Sequence, residues 1–297
     1  MHGENMKNKS LSDKVLIVTC YSFLILLGIT IIIPVMNLIA VSLSTQSSVV
    51  SGQVYIFPKG FHIEAYKYIM QSKQFYSSLY VSLFVTGAGS ILAVICSVLV
   101  AYPLSKRKLP GRKWLLLLFV FTMMFSGGII PSYLLIQNLN LINSVWSLIL
   151  PQMINVYNLL IIKNYFEAMN ESIEESAKID GAGQLRVLFS IVLPMAKPVI
   201  ATVFMFFVVG YWNNYFDAKM YITKRNLMPI QQYLQTVIFE AKDPTGDFAL
   251  NASSTLQMAP QTIINATVVC AMVPMVILYP LLQKFFEKGT MIGSVKG

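Results

Sequence analysis

Six stretches of this 297-residue chain hold no Asp, Glu, Lys, Arg or His, at about 15–43, 77–105, 114–137, 145–162, 199–216 and 262–283. A helix needs roughly 20 apolar residues to cross a bilayer, and it satisfies its own peptide groups where no water can. The pattern therefore predicts an all-α integral membrane protein with six transmembrane helices. The fourth stretch is the shortest, and Pro34 and Pro274 predict kinks inside the first and last. The first stretch is too long for the apolar core of a signal peptide and lacks a small-residue cleavage site, so it reads as a retained helix. Only 12% of the residues are charged. That is about half the share of a soluble domain, and it makes lipid the main solvent.

Net charge is +9, and the distribution of that charge gives it meaning. With the N-terminus inside, 15 Lys and Arg fall on inner segments and 7 on outer ones. The inner set includes Lys7, Lys9, Lys14, the cluster Lys106-Arg107-Lys108 with Arg112 and Lys113, and Lys163, Lys178, Arg186 and Lys197. Basic residues stay on the cytoplasmic side, so both termini are expected there. As a nucleic-acid patch the 106–113 cluster would need interleaved aromatics and a folded domain, and it has neither.

The implied organisation is a cytoplasmic tail at 1–14, one membrane domain at 15–283 and a cytoplasmic tail at 284–297. Within the domain lie an inner loop at 163–197 and outer segments at 44–76 and 217–261.

Several chemistries are excluded or disfavoured. Cys20, Cys96 and Cys270 all sit in apolar runs without metal-ligand spacing, so neither a disulfide framework nor a metal site is expected. No phosphate-binding Gly-x-x-x-x-Gly-Lys-Ser/Thr loop occurs, nor His-Glu-x-x-His, nor Gly-x-Ser-x-Gly. The charge-free spans also lack the mid-membrane ionisable group that ion-coupled carriers usually keep. An ion-coupled secondary carrier remains the rival reading, through sodium held by backbone carbonyls. If the chain transports a solute, its energy arrives through a partner. No enzyme activity and no bound cofactor are expected of the chain itself.

The inner loop is suited to receive that energy. Its first half, from Glu171, has helix-forming residues, acids near the helix start and a Glu174–Lys178 pair four apart. Asp180-Gly181 breaks the run. Leu185, Leu188, Phe189 and Val192 then recur at helical spacing. Two helices about a glycine fit a groove on a partner protein or the lipid surface equally well.

At these residues the sequence resembles the permeases of binding-protein-dependent ABC importers. Their loop carries Glu-Ala-Ala, three residues, Gly, nine residues, then Ile-x-Leu-Pro. Here Glu175-Ser176-Ala177, Gly181 and Ile191-Val192-Leu193-Pro194 stand at that spacing, with Ser176 replacing the first alanine. The resemblance extends to Gly127–Tyr133, Val209–Asp217 and the ending Lys284–Gly297. It resembles the maltose-type, carbohydrate-uptake branch and, within it, the subgroup that imports oligosaccharides and complex polysaccharide fragments. It implies the type I importer permease architecture and an ATPase-coupling role for Glu175, Ser176, Ala177, Gly181, Leu185, Phe189, Ile191, Leu193 and Pro194. The implied partners are a second permease, two ATPase subunits that carry ATP and magnesium, and an extracytoplasmic solute-binding protein. A non-sugar solute is the alternative cargo.

Span five ends in Tyr211, Trp212, Asn213, Asn214, Tyr215 and Asp217. Aromatic faces stack on sugar rings, and amides or carboxylates bond to hydroxyls, which suits a sugar path. An interfacial aromatic belt uses the same residue types. Asn155 and Asn158 in span four fit either a path or polar packing between helices. In the outer segment, the turn-rich 242–248 stretch could form a tip that probes the binding protein, or an ordinary surface turn.

Overall fold

The computed structural model describes the backbone of residues 11–242 and 258–293, and the side chains of 12–241 and 258–280. Lys7 and Lys9, nearly all of the 242–248 turn and residues 294–297 lie outside that range. The described residues are helical, with no strand among them. The helices are α1 (Leu11–Ser42), α2 (Gln46–Val50), α3 (Glu64–Gln71), α4 (Lys73–Ser105), α5 (Arg112–Met124), α6 (Ile129–Asn138), α7 (Trp146–Ile149) and α8 (Val156–Ala168). They continue with α9 (Glu171–Ile179), α10 (Gln184–Val187), α11 (Leu193–Met195), α12 (Lys197–Trp212), α13 (Tyr215–Tyr221), α14 (Ile230–Lys242) and α15 (Pro260–Gly293).

Three helical segments, Ser12–Ser42, Lys73–Ser105 and Pro260–Pro280, are individually long and apolar enough to cross a membrane. The third predicted span is not one straight helix. It divides into α5 and α6, bent by 111°. Gly128 supplies the break at φ 86°, a backbone state that side-chain-bearing residues avoid. The loop helices preceding α12 meet it at 84°, just before Pro198, whose missing N–H is harmless in a first helical turn. Span four is interrupted as well, because a 3-10 turn at Leu150–Gln152 carrying Pro151 separates α7 from α8. The last helix runs on to Gly293, ten residues past the apolar limit of the sixth stretch.

The chain divides into two compact units. The first comprises Met1–Gln71 and Val237–Cys270. In it, most of α1 exposes apolar side chains around its whole circumference, including Leu24, Ile25, Leu26 and Ile32. Such a helix has lipid or another membrane chain as its neighbour. Only its last turns are packed within the unit. There Ala40 and Val41 bury with Val54, Asn37 donates to the Tyr55 carbonyl (2.6 Å), and Ser42 and Tyr66 share a hydroxyl bond of 2.7 Å.

The second unit comprises Ser72–Thr236 and Ala271–Gly297 and is organised by α4. At 1.5 Å per residue this helix is about 50 Å long. Its buried face carries small residues, namely Ser78, Ser82, Gly89, Ser90, Ala93, Ser97 and Ala101. Helices in lipid associate by close packing, not by burying oil from water, and small side chains let backbones approach. The closest approach is at Gly89, where an added Cβ would lie 2.9–3.0 Å from three ring atoms of Tyr211 on α12. Tyr211 is itself fixed, its hydroxyl donating to the Ile149 carbonyl at 2.9 Å. Further along, Ser82 Oγ accepts from the Ile230 amide (2.7 Å), and Gln74 donates to the Arg225 carbonyl (2.5 Å). The core around these contacts includes Leu148, Ile149, Ile162, Leu188, Val192 and Val203, each no more than 1% exposed.

Candidate functional site

The predicted pair of helices about Gly181 is present. Asn170 caps α9, its side-chain oxygen accepting from the Ser172 amide at 3.1 Å, which satisfies one of the unpaired donors of the first turn. Glu171 and Glu174 occupy that turn and Lys178 the last, as the helix dipole favours. Ser176, the residue that departs from the family pattern, turns its hydroxyl back to the Ser172 carbonyl (2.9 Å).

The helix ends in a paired bond, Gly181 amide to Lys178 carbonyl (3.0 Å) and Ala182 amide to Ala177 carbonyl (2.9 Å). That termination needs a left-handed residue, and Gly181 provides it at φ 81°. Beyond it, α10 passes through a π-helical turn at Leu188–Val192 into α11. Pro194 has no N–H to offer the carbonyl four residues back, and the widened turn lies directly before it.

Exposure divides the predicted apolar stripe. Leu188 and Val192 are buried in the unit, whereas Leu185 is 66% and Phe189 56% exposed. Ile179, at 86%, is the most exposed large apolar side chain among the described residues. Glu175, Ser176, Gly181 and Pro194 are exposed, and Ala177, Ile191 and Leu193 are half-buried. The loop thus leaves Ile179, Leu185, Phe189 and the acid Glu175 exposed while Leu188 and Val192, along the same stripe, anchor it in the unit.

Charged residues anchor it too, and here the structure corrects the expected Glu174–Lys178 pair: Glu174 takes Lys106 as its partner, because its side chain turns inward and not along the exposed face of α9. Of the loop's three neighbouring glutamates, only Glu174 turns inward, at 7% exposed. Lys106, just beyond α4, donates to both of its carboxylate oxygens. The Tyr102 hydroxyl adds bonds to Glu174 (3.3 Å) and to Gln184 on α10 (3.4 Å), and the Lys106 ammonium lies 4.4 Å from the Tyr102 ring centre.

A second cluster joins α5 to α8. Glu167 pairs with Lys163 one turn back and accepts from Arg112 at 2.8 Å, and Arg112 also donates to the Leu104 carbonyl at 2.7 Å. Tyr102, Lys106, Arg107, Glu167, Glu174 and Glu175 line a cavity of about 920 Å³ between these clusters. An i,i+4 reading of Lys163 and Glu167 was open to sequence inspection. The pairing of Lys106 with Glu174, 68 residues apart, was not.

The hydrogen bond from Lys163 holds the Glu167 carboxyl below its ordinary value of 4.5, with the charges of Lys163 and Arg112 adding to the effect against partial desolvation. A lowered folded-state value means this contribution is complete above the unfolded pKa and is lost as pH falls through the folded one. Glu167→Gln is expected to cost about 1–3 kcal/mol, because Lys163 and Arg112 lose their carboxylate. It should also remove part of the acid-side loss of stability. Thermal unfolding of the detergent-solubilised protein between pH 7 and pH 3 checks both effects.

At the far end of α12, Tyr211 and Trp212 are each 4% exposed and pack within the unit. Asn213 is exposed, and Asn214 and Asp217 are half-buried. Asp217 accepts from Gln152 (3.0 Å) and Asn214 (2.9 Å), so both of its donors are uncharged amides. Asn155 caps α8 by accepting from the Asn158 amide (3.1 Å), and Asn158 is buried. The structure therefore brings Asn214 and Asp217 together with Gln152, a residue that no sequence pattern marks. Among the described residues no cluster of His, Cys, Asp and Glu could hold a metal ion.

Long apolar helices, a first span with apolar side chains exposed around its whole circumference and a doubly anchored loop with exposed apolar side chains define a polytopic membrane protein. The chain belongs to the family of binding-protein-dependent transport system inner membrane components, whose pattern matches residues 89–292. It is 43% identical over 277 residues to the polygalacturonan/rhamnogalacturonan transport system permease protein YtcP of Bacillus subtilis, covering 93% of this chain and 96% of that one. Protein LplC of the same organism is 42% identical over 272 residues, covering 91% of each chain. A solved bacterial ABC transporter involved in import of the acidic polysaccharide alginate has a chain that superposes with a TM-score of 0.87 at 29% identity, covering 94% of this chain and 99% of its own. The protein is a multi-pass transport component of the bacterial plasma membrane, and not an enzyme.

Proposed function

We propose that this chain forms half of the transmembrane pathway of an ATP-driven importer of oligosaccharides or polysaccharide fragments. Both termini face the cytoplasm in this reading. Six crossings arise when the bent α5–α6 pair and the interrupted α7–α8 segment each count as one. A second permease completes the pathway, two ATPase subunits bind ATP and magnesium, and an extracytoplasmic binding protein delivers the sugar. The names of YtcP and of the alginate transporter support a carbohydrate rich in uronic acid.

One observation carries the coupling assignment: Ile179, Leu185 and Phe189 are exposed beside Glu175 on a loop whose other face is tied down. Apolar side chains held out from a rigid base fit a partner's groove, and such anchors dominate interface energy. The ATPase grips α9 and α10, and its closure moves them. Asn213, Asn214 and Asp217 face the sugar path, with Tyr211 and Trp212 packed behind them.

The double variant Leu185→Asp/Phe189→Asp tests the grip. Loss of two interface anchors should lower the ATPase recovered with the affinity-purified permease by about tenfold or more. Membrane insertion should be unchanged. Full ATPase recovery with the double variant would overturn the assignment.

A further inference from the structure

We infer that the Lys106–Glu174 pair is a strut that carries movement of α9 into α4, and through α4 to the Tyr211 end of α12 and the adjoining start of α13. The inference rests on the coupling role proposed for α9 and goes beyond it, because it names the contact by which a docked loop moves the membrane helices.

The geometry has three links. At the first, Glu174 is buried and Lys106 meets both of its oxygens, with Tyr102 bonded to the same carboxylate and to Gln184. A push on either α9 or α10 therefore reaches the same few residues at the end of α4. With Glu174 buried and Lys106 half-buried, water replaces this contact less readily than that of an exposed pair, so the pair resists extension more.

The second link is α4 itself. It is unbroken from Lys73, and its one interior proline, Pro103, lies near its end. Seventeen residues separate Lys106 from Gly89, about 25 Å of helix.

The third link is the Gly89–Tyr211 contact, where the ring packs over the bare glycine backbone so closely that a Cβ there would lie 2.9–3.0 Å from it. Tyr211 is anchored to Ile149, so a displacement of α4 there cannot be absorbed by rotating the ring away. Trp212, Asn213, Asn214 and Asp217 follow directly in the chain. The Glu167 cluster also reaches the end of α4, through the bond from Arg112 to the Leu104 carbonyl, but among the described residues it makes no bond to α9 and so receives no movement from it directly. Glu174 and Lys106 are accordingly positioning residues, which act through α4 and not on the sugar.

The experiment uses the whole importer in proteoliposomes, with Cys20, Cys96 and Cys270 replaced and Asn213→Cys as a reporter. A membrane-impermeant maleimide labels the reporter before and after trapping with ATP and vanadate. With the pair intact, trapping should change the labelling rate by about tenfold, within the range that coupling contacts produce. Glu174→Gln and Lys106→Gln should each cut that change to about twofold or less while the ATPase still co-purifies and hydrolyses ATP. The swap Lys106→Glu/Glu174→Lys should restore most of it, and Lys106→Arg should retain it.

A full labelling response in the single variants would overturn the strut. So would loss of the ATPase from the single variants with its return in the swap, because the pair would then only hold the fold. No response with the pair intact would sink the coupling role of α9, and the strut with it.

Discussion

Gly181→Val is expected to abolish most transport while leaving the protein inserted in the membrane. Gly181 sits at φ 81° and closes α9 through the Ala182–Ala177 bond. A β-branched residue in that conformation costs about 1–3 kcal/mol. Beyond its two chain neighbours no atom lies within 4 Å of the Cβ position, so the penalty is conformational and not a clash with other parts of the fold. The chain can relieve it only by opening the turn, which redirects Ile179 relative to Leu185 and Phe189. Interface anchors tolerate little misplacement, and uptake should fall by about tenfold or more.

Two controls separate this cause from bulk. Gly181→Asn should keep much of the activity, since asparagine visits the left-handed region. Gly183→Ala should be close to neutral, because Gly183 has φ −69° and open space around it. Uptake and ATPase co-purification measured together check the series. An active valine variant would mean that the relative direction of α9 and α10 does not matter.

Gly89→Leu is expected to have the largest effect on folding. Even alanine there places a Cβ 2.9–3.0 Å from the Tyr211 ring, and overpacking of that kind costs about 1–3 kcal/mol. Leucine adds three more carbon atoms with no space on that face. Tyr211 cannot withdraw without giving up its bond to Ile149, so α4 and α12 must separate. The folded yield in mild detergent should fall steeply for leucine and modestly for alanine. Tyr211→Ala should partly rescue both, and a double-mutant cycle then measures the contact. Additive losses with no rescue would show that Gly89 matters for a reason other than this contact.

Gly181 and Gly89 also show how unevenly the sequence could be read. Gly181 was legible because it interrupts one helical pattern and opens another, and because its spacing to Glu175 and Pro194 matches a family. Gly89 looks like any glycine in an apolar run, and nothing local marks it as the point where a tyrosine 122 residues later comes to rest. The same difference separates Lys163–Glu167, one helical turn apart, from Lys106–Glu174. Apolar runs gave away the spans, but not the 111° bend at 125–128, because hydropathy does not record φ at Gly128.

Taken alone, the sequence determined that the chain is helical and lies in a membrane, and through motif spacing that it belongs to an importer. Those conclusions follow from transfer free energy, helix periodicity and fixed residue intervals, all of which are local or additive along the chain. Only the tertiary structure decided which face of the 171–194 loop is presented and which is buried. Its Leu185, Leu188, Phe189 and Val192 share one periodicity, yet two are covered and two are open. Only the structure, likewise, paired Glu174 with Lys106 and left Glu171 and Glu175 exposed. A helix fixes the angular spacing of its side chains, but what stands opposite each one is set by segments far away in sequence.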